Sequence, residues 1–211
     1  MIAIVDYGMG NLRSVLNAFR AAGGEARIAE APADLTDADA VVLPGVGAFA
    51  DGMRTLRARG FLPALEDSVR GQGKPFLGLC LGMQLMARRG TEHGDQAGLG
   101  WIDAVVERLP SSLEGAELRV PHIGWNDVTF SRTSGLYQDL GASQSFYFVH
   151  SYVVTGAPSA IVSGETVYGV PFAASIEVDN LFATQFHPEK SHKAGQAVLR
   201  NFLRRAALAT C

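Results

Sequence analysis

A buried strand runs directly into a helix at Cys80, and this junction limits the folds open to the chain. Pro75 to Leu79 is an apolar segment of strand length, and an apolar helical pattern starts at Leu81, one residue beyond Cys80. Strands and helices also alternate upstream: strands at Ile2 to Asp6, Ala26 to Ile28 and Ala40 to Leu43, and helical segments at Leu12 to Phe19 and Met53 to Val69, the latter interrupted at Gly60 and Pro63. Because such alternation favours parallel strands with helices on both faces, the sequence predicts an α/β fold with an open, mostly parallel sheet.

The second half of the chain has a different pattern, with short β-prone segments separated by glycine, proline and asparagine. These segments, typical of hairpins and edge strands, are Trp101 to Arg108, Glu117 to Pro121, Ser145 to His150, Phe172 to Glu177 and Leu181 to Phe186. Apolar residues at helical spacing then predict a closing amphipathic helix from His192 to Ala209. With 211 residues, 47% of them hydrophobic, residues 1–211 are predicted to form one domain, with antiparallel strands added in its second half.

Charge and cysteine content exclude several classes of protein. A formal net charge of -3 supplies no basic stripe for phosphates, so nucleic acid is not an expected partner. The two cysteines, Cys80 and the final residue Cys211, do not make a secreted disulfide framework, and a reducing, cytoplasmic location is expected. Residues 1–10 lack the basic leader of a signal peptide, and no uncharged apolar run approaches roughly 18 residues, so a soluble protein without membrane contact is expected. Metal-ligand spacing and a dinucleotide fingerprint are both missing, so neither a metal nor a cofactor is expected.

The segment from Gly78 to Gly82, Gly-Leu-Cys-Leu-Gly, places a thiol at the strand-to-helix junction. A sharp turn of this kind crowds the residues beside a nucleophile, so both flanking positions must lack side chains. The following helix offers partial positive charge and free N–H groups to a thiolate and to an oxyanion. A buried structural cysteine beside two glycines is the alternative, and the pentapeptide alone leaves both open.

A base for the thiol is available in Gln185 to Glu189, at the end of an apolar strand. His187 and Glu189 lie two residues apart, which places both side chains on one face of an extended segment. A bend after Pro188 is needed for the carboxylate to orient the imidazole. We therefore predict a triad in which Cys80 attacks a carbonyl, His187 shuttles the proton, and Glu189 fixes the tautomer of the imidazole.

A third segment, Pro44 to Gly47, contains two glycines and follows the buried strand Ala40 to Leu43. Glycines at the carboxyl end of a parallel strand let backbone N–H groups turn toward a ligand. We assign this segment to an oxyanion hole. An ordinary turn is the alternative.

Two segments, Gly78 to Gln84 and Gln185 to Glu189, resemble the motifs of the triad, or class I, glutamine amidotransferases. Further segments narrow the resemblance: Asp6 to Leu12, Pro44 to Phe49, Pro121 to Asn126, Tyr147 to Tyr152 and the pair Lys190 and Ser191. With these, the chain resembles the glutaminase subunits of imidazole glycerol phosphate synthases, which act in histidine biosynthesis. The resemblance runs from the first residues to the closing helix.

The resemblance implies a flavodoxin-like fold that hydrolyses L-glutamine to glutamate and ammonia through a thioester on Cys80. It also implies a heterodimer with a (βα)8-barrel cyclase, through which the ammonia travels to a ribonucleotide substrate. Our leading hypothesis is a glutaminase that is nearly silent alone and is switched on by its ligand-bound cyclase partner. No cofactor is implied.

Several further residues match positions with known roles in the family. Those that resemble glutamine-binding residues are Gln84, Glu92, Ser151 and Tyr152. Those that resemble the oxyanion segment, one peptide of which must reorient, are Gly45, Val46, Gly47 and Leu81. Trp125 and Asn11 resemble interface residues, although a half-buried aromatic is an equal interpretation of Trp125. His122 and His150 are treated as structural or interface residues, because neither belongs to a triad-like pair.

Two other functions share parts of this pattern. A sister glutaminase could serve another synthase, such as one that makes a pyridoxal cofactor or an aromatic amine. A catalytically silent scaffold could use the same fold, because one fold hosts many functions. The segments outside the triad argue against the first, and the presence of all three triad residue types argues against the second.

Overall fold

The computed structural model describes residues 1–113, 115–131 and 135–209, with no side chain described for Ala116 and Leu208; Cys211 therefore lies outside the described residues. The α-helices are α1 (Leu12–Ala21), α2 (Phe49–Ala58), α3 (Phe61–Leu65), α4 (Leu81–Leu85) and α5 (His192–Ala209). The strands of the first half are β1 (Ile2–Val5), β2 (Ala26–Ala29), β3 (Ala40–Gly45), β4 (Phe76–Cys80), β5 (Ala87–Gly90) and β6 (Gln96–Ala97). Those of the second half are β7 (Ile102–Arg108), β8 (Ser112–Leu113), β9 (Ala116–Glu117), β10 (His122–Phe130), β11 (Ser143–His150), β12 (Tyr152–Thr155), β13 (Val162–Tyr168), β14 (Val170–Val178) and β15 (Leu181–Thr184).

A nine-stranded sheet organises the molecule, in the order β11-β10-β13-β14-β15-β4-β3-β1-β2. The strands β2, β1, β3, β4 and β15 run parallel to one another. The strands β14, β13, β10 and β11 extend the sheet in antiparallel fashion. A smaller sheet, in the order β12-β7-β5-β6, lies beside it. This confirms the predicted α/β fold, including the antiparallel strands of the second half.

Hydrophobic side chains cover both faces of the parallel strands. Ile2 and Ile4 belong to the buried cluster that includes α1 and α5 residues, for example Phe19 and Phe202. Ala3 and Val5 belong to the cluster that includes α2 and α3 residues. Since successive side chains of a strand point to opposite faces, the helices flank both sides of the sheet, as predicted.

The structure corrects several predicted elements. Gly60, with φ of 73°, does separate α2 from α3, but Pro63 lies inside α3, where the first turn of a helix tolerates a missing N–H. The predicted strand Glu117 to Pro121 is reduced to β9, which ends at Glu117. The helix predicted to start at Leu81 does start there, as the five-residue α4.

The largest correction concerns Leu181 to Phe186, which was predicted among the hairpins and edge strands. Its β15 portion lies between β14 and β4 in the interior of the sheet, parallel to β4 and buried throughout. This position sets the site, because β15, β4 and β3 are neighbours and their carboxyl ends meet at the same edge. No helix in the described part of the chain is long and apolar enough to cross a membrane.

Candidate active site

Cys80 lies at a strained turn between β4 and α4. Its φ of 52° and ψ of -104° are unusual for a residue with a side chain. A Cβ at Gly82 would overlap the Leu43 carbonyl oxygen, and one at Gly78 would lie 2.8 Å from the Gly82 carbonyl. Both glycines are therefore required by the crowding that the sequence predicted. Because α4 has five residues, its dipole contributes less at Cys80 than a long helix would.

His187 and Glu189 form the predicted pair. The turn Pro188–Lys190 supplies the bend, and His187 Nδ1 lies 2.7 Å from Glu189 Oε1, with both side chains 4% exposed. The backbone of His187 is fixed as well, because its N–H donates to the Tyr147 carbonyl at 2.9 Å. Its own carbonyl accepts a hydrogen bond from the Ser191 hydroxyl at 2.6 Å. This pair therefore has little freedom to reorient.

The charge state of His187 is set by its two neighbours. Burial lowers the pKa of the imidazole, but the interactions with Cys80 and Glu189 outweigh it and raise the pKa from 6.5 to about 10. The site thus favours an imidazolium beside Cys80 and Glu189. Among the described residues, no atom meets the geometric criteria for a hydrogen bond with His187 Nε2. The Cys80 thiol is nevertheless close enough to raise the pKa of His187, without a formed hydrogen bond. Such loose contacts are common in ligand-free active sites.

Gln185 also contacts Cys80. Its Nε2 lies 3.5 Å from Cys80 Sγ, and its Oε1 accepts from Gln84 Nε2 at 3.0 Å. Gln84 Nε2 also donates to the Tyr152 carbonyl at 2.8 Å. Because both amide protons of Gln84 are used, its carbonyl oxygen is what it can offer to a ligand. The sequence placed Gln185 in the histidine motif but assigned it no role, since only the fold shows that β15 lies against β4.

A cavity of about 390 Å³ opens in front of Cys80. Its lining residues are Val46, Gly47, Ala48, Cys80, Leu81, Gln84, Glu92, Pro121, Val149, His150, Ser151 and Tyr152. The volume lies in the range of small-molecule sites, roughly 300–1,000 Å³. The structure therefore brings all the residues that resemble glutamine-binding residues to one cavity beside Cys80.

The predicted oxyanion segment forms one wall of this cavity. Gly45 ends β3 as the register partner of Cys80, and Val46 and Gly47 line the cavity with Leu81. A side chain at Gly45 would overlap the hydroxyl of Tyr7, and Gly47 has a φ of 110°. The segment is thus glycine-rich for steric and conformational reasons that hold with or without a catalytic role.

Glu92 has a structural contact in addition to its place in the cavity. Its Oε2 accepts from the N–H of Phe49 at 2.8 Å, at the start of α2. An acceptor there satisfies one of the free N–H groups of the helix. The carboxylate is held in position by this bond while it lines the cavity.

The two predicted interface residues lie outside the cavity lining. Trp125 is 48% exposed on β10, and its ring stacks on His192 with centroids 4.9 Å apart. Asn11 caps α1, with Oδ1 accepting from Ser14 N at 3.3 Å. A larger surface groove of about 1100 Å³ runs along Trp125 and His192, but Cys80 is not among its lining residues. Among the described residues no group of three metal-ligating side chains is found.

Comparison with known proteins identifies close relatives across nearly the whole chain. The family profile described as "Glutamine amidotransferase class-I" matches residues 3–206. The "Imidazole glycerol phosphate synthase subunit HisH" of Syntrophotalea carbinolica is 46% identical over 96% of this chain and 98% of the relative. The protein of the same name from Moorella thermoacetica is 46% identical over 95% of this chain and 93% of the relative.

Solved structures show the same fold at lower identity. A crystal structure described as a glutamine amidotransferase has a TM-score of 0.75 at 20% identity, covering 98% of each chain. A structure described as PurLQS from Thermotoga maritima has a TM-score of 0.74 at 16% identity, covering 97% of each chain. At this identity the similarity supports the fold alone.

Proposed function

Since this chain belongs to the class-I glutamine amidotransferases, in the family of the HisH subunits of imidazole glycerol phosphate synthase, we propose that it hydrolyses L-glutamine through a thioester on Cys80. It is a glutamine amidotransferase of histidine biosynthesis. The observation that carries the proposed mechanism is that Cys80, which interacts with the His187–Glu189 pair, lines the same cavity as the glutamine-binding candidates.

The first half-reaction forms the thioester. The Cys80 thiolate attacks the side-chain amide carbon of glutamine, and the carbonyl becomes an oxyanion. Backbone N–H groups of Leu81 and of the Val46–Gly47 segment are the proposed donors to that oxyanion. His187, held as an imidazolium, then gives its proton to the amide nitrogen. The C–N bond breaks, ammonia leaves, and the glutamyl group stays on sulfur.

The second half-reaction returns the enzyme to its starting state. Neutral His187 takes a proton from water as the water attacks the thioester carbon. The C–S bond breaks, glutamate leaves, and sulfur and imidazole again share one proton. Glu189 keeps Nδ1 of the ring as the donor throughout, through the 2.7 Å contact.

The cavity offers complementary groups for the amino-acid end of glutamine. Glu92 brings a carboxylate to the wall, which suits the α-ammonium. Gln84 offers a carbonyl oxygen, and Ser151 and Tyr152 also line the cavity. These contacts are part of the proposal.

As a HisH subunit the chain works with a cyclase subunit, and we propose that this partner is a (βα)8 barrel that receives the ammonia. Exposed apolar residues support a docking surface: Ile123 is 60% exposed, Trp125 48% and Val46, which lines the cavity, 44%. Trp125 and Asn11 are the proposed contact residues. We also propose that residues 1–211 act as one domain, which is supported by the sheet that takes strands from β1 to β15.

The test is glutamate release by three mixtures: this protein alone, with its cyclase subunit, and with cyclase plus its ribonucleotide ligand. We expect a large rise only in the third, because the ligand-bound partner must shift the oxyanion segment to the conformation whose N–H points at the oxyanion. Cys80→Ser should abolish release in all three mixtures yet still co-elute with the cyclase. Cys211→Ser, which changes the other cysteine, should behave as the wild type.

Two results would contradict the proposal. Glutamate release by Cys80→Ser would remove Cys80 as the nucleophile. A wild-type protein that stays silent in all three mixtures, with the fold intact and Cys80 reduced, would favour the scaffold alternative.

A further inference from the structure

His122 and His150 form a buried pair that the mechanism above does not use. They lie opposite each other on the antiparallel strands β10 and β11, and they are 3% and 7% exposed. His122 Nδ1 lies 3.0 Å from His150 Nε2, with the rings nearly perpendicular at 77°. No local sequence pattern joins them, because 28 residues separate them and only the strand register brings them together.

The surrounding acceptors decide which nitrogen carries each proton. The Tyr152 carbonyl lies 3.0 Å from His150 Nδ1 and can only accept, so Nδ1 donates and Nε2 of a neutral ring accepts. His122 Nδ1 must then donate to His150 Nε2. This leaves His122 Nε2 as an acceptor, and Asn126 Nδ2 lies 3.5 Å from it. The amide of Asn126 has this orientation because Nδ2 also donates to the Val167 carbonyl at 2.9 Å.

A protonated pair does not fit these partners. If His150 Nε2 carried a proton, His122 would have to accept at Nδ1 and donate from Nε2. His122 Nε2–H would then face the amide protons of Asn126, and two donors would oppose each other. Burial lowers the pKa of His122 to about 4. Burial, followed by the proximity of His122, lowers the pKa of His150 to about 3. Both rings are therefore neutral at neutral pH, and both carry the proton on Nδ1.

Packing holds the pair in place, and its far end reaches the cavity. The His122 ring is stacked against Tyr168 at 4.0 Å and Phe148 at 4.9 Å between centroids. The Tyr152 carbonyl, where the chain of hydrogen bonds ends, also accepts from Gln84 Nε2 at 2.8 Å. One carbonyl thus joins the histidine pair to a cavity-lining glutamine.

We propose that the His122–His150 pair is a positioning element for glutamine binding, which holds the Tyr152 carbonyl and, through it, Gln84 and the Ser151–Tyr152 wall. The inference rests on the proposed function. Neither histidine exchanges a proton with the substrate. His122 acts through His150, and His150 acts through the carbonyl that it orients.

Two substitutions of His150 distinguish a role in positioning the Tyr152 carbonyl from a role in filling space. In His150→Asn the side-chain amide nitrogen takes the place of Nδ1, so the bond to Tyr152 can be kept. In His150→Gln the polar group lies near the Nε2 position, and that bond is lost. Measured in the complex with the cyclase, the KM for glutamine should rise about tenfold in His150→Gln, the effect of one lost hydrogen bond. In His150→Asn it should rise no more than about threefold, with kcat within about threefold of wild type in both variants.

A second measurement uses the unsubstituted protein, so it holds even if a variant fails to fold. Nitrogen NMR of protein labelled in its histidine rings should show His122 and His150 as neutral Nδ1–H tautomers at pH 7. Assignment of either ring as the Nε2–H tautomer or as an imidazolium would overturn the hydrogen-bond chain.

The kinetic outcomes are equally decisive. Equal KM values for His150→Asn, His150→Gln and wild type would overturn the positioning role, as would a fall in kcat with KM unchanged. If the wild-type complex releases no glutamate, the proposed function is wrong, and so is the role of the pair in glutamine binding. The tautomers of the two rings would still test the hydrogen-bond arrangement of the pair independently.

Discussion

At the scale of single residues, the hydroxyl of Tyr7 is buried without a hydrogen-bond partner among the described residues. Burial raises the pKa of the phenol, so the group is neutral and still needs a partner. We expect Tyr7→Phe to raise the free energy of unfolding by about 1 kcal/mol, because an unsatisfied buried hydroxyl is costly. Urea unfolding of the two proteins measures the change.

Tyr137→Phe is the matched control, since Tyr137 is also fully buried but donates to Ser175 Oγ at 2.6 Å. Loss of this hydroxyl should lower the free energy of unfolding by about 1 kcal/mol, the opposite sign. A destabilised Tyr7→Phe would mean that the Tyr7 hydroxyl has a partner, such as a bound water, that offsets its burial.

At the scale of elements, the contact between β10 and β11 should make the protein sensitive to acid. In the unfolded chain His122 and His150 take up protons below about pH 6.5, whereas the folded pair resists protonation until about pH 4 and about pH 3. The free energy of unfolding should therefore fall as the pH drops from 6.5 toward 3. His187 has the opposite sign: its contribution is fully present below pH 6.5 and is lost as the pH rises through about 10.

Urea unfolding at several pH values between 7 and 4 measures how the free energy of unfolding depends on pH. The double variant His122→Gln/His150→Asn should show a smaller decrease across that range than the wild type. His93→Gln, which changes an exposed histidine, should keep the wild-type pH dependence. Identical slopes for the double variant and the wild type would show that the pair does not set the acid sensitivity.

At the scale of the whole molecule, β10 has one exposed side and one side that is more buried. Its outer side carries Ile123 and Trp125, and its inner side carries His122. Because Trp125 is half exposed, Trp125→Ala should change folding little but weaken association with the cyclase. An exposed aromatic anchor of this kind is worth about 2 kcal/mol or more, so the Kd should rise at least about 30-fold.

Calorimetric titration of the cyclase into the wild type and into Trp125→Ala measures the two Kd values. Leu113→Ala, which changes another partly exposed apolar residue in the β8–β9 hairpin, should leave the Kd unchanged. An unchanged Kd for Trp125→Ala would place the interface elsewhere and leave Trp125 as a surface aromatic packed on His192.

The parallel half of the fold and the chemical motifs were predictable because both are local. The alternation of strands with helices before Cys80 follows from hydrophobic spacing within short windows, and the boundaries agree within a few residues. The need for Gly78 and Gly82 follows from the turn itself, and the structure shows the overlap that either side chain would cause. The spacing of His187 and Glu189 already implied a shared face, with a bend at Pro188.

Long-range pairing decided the rest. Nothing near Leu181 distinguishes an edge strand from one in the interior of the sheet, so only the pairing of β15 with β4 and β14 shows that Gln185 reaches Cys80. The His122–His150 pair likewise depends on the register of two strands distant in sequence. The amino-acid sequence by itself determined the proposed nucleophile, its proposed base and the parallel core, because these are set by neighbours along the chain. The tertiary structure alone decided the cavity and the hydrogen bonds that shape it, because they join segments whose proximity no local pattern encodes.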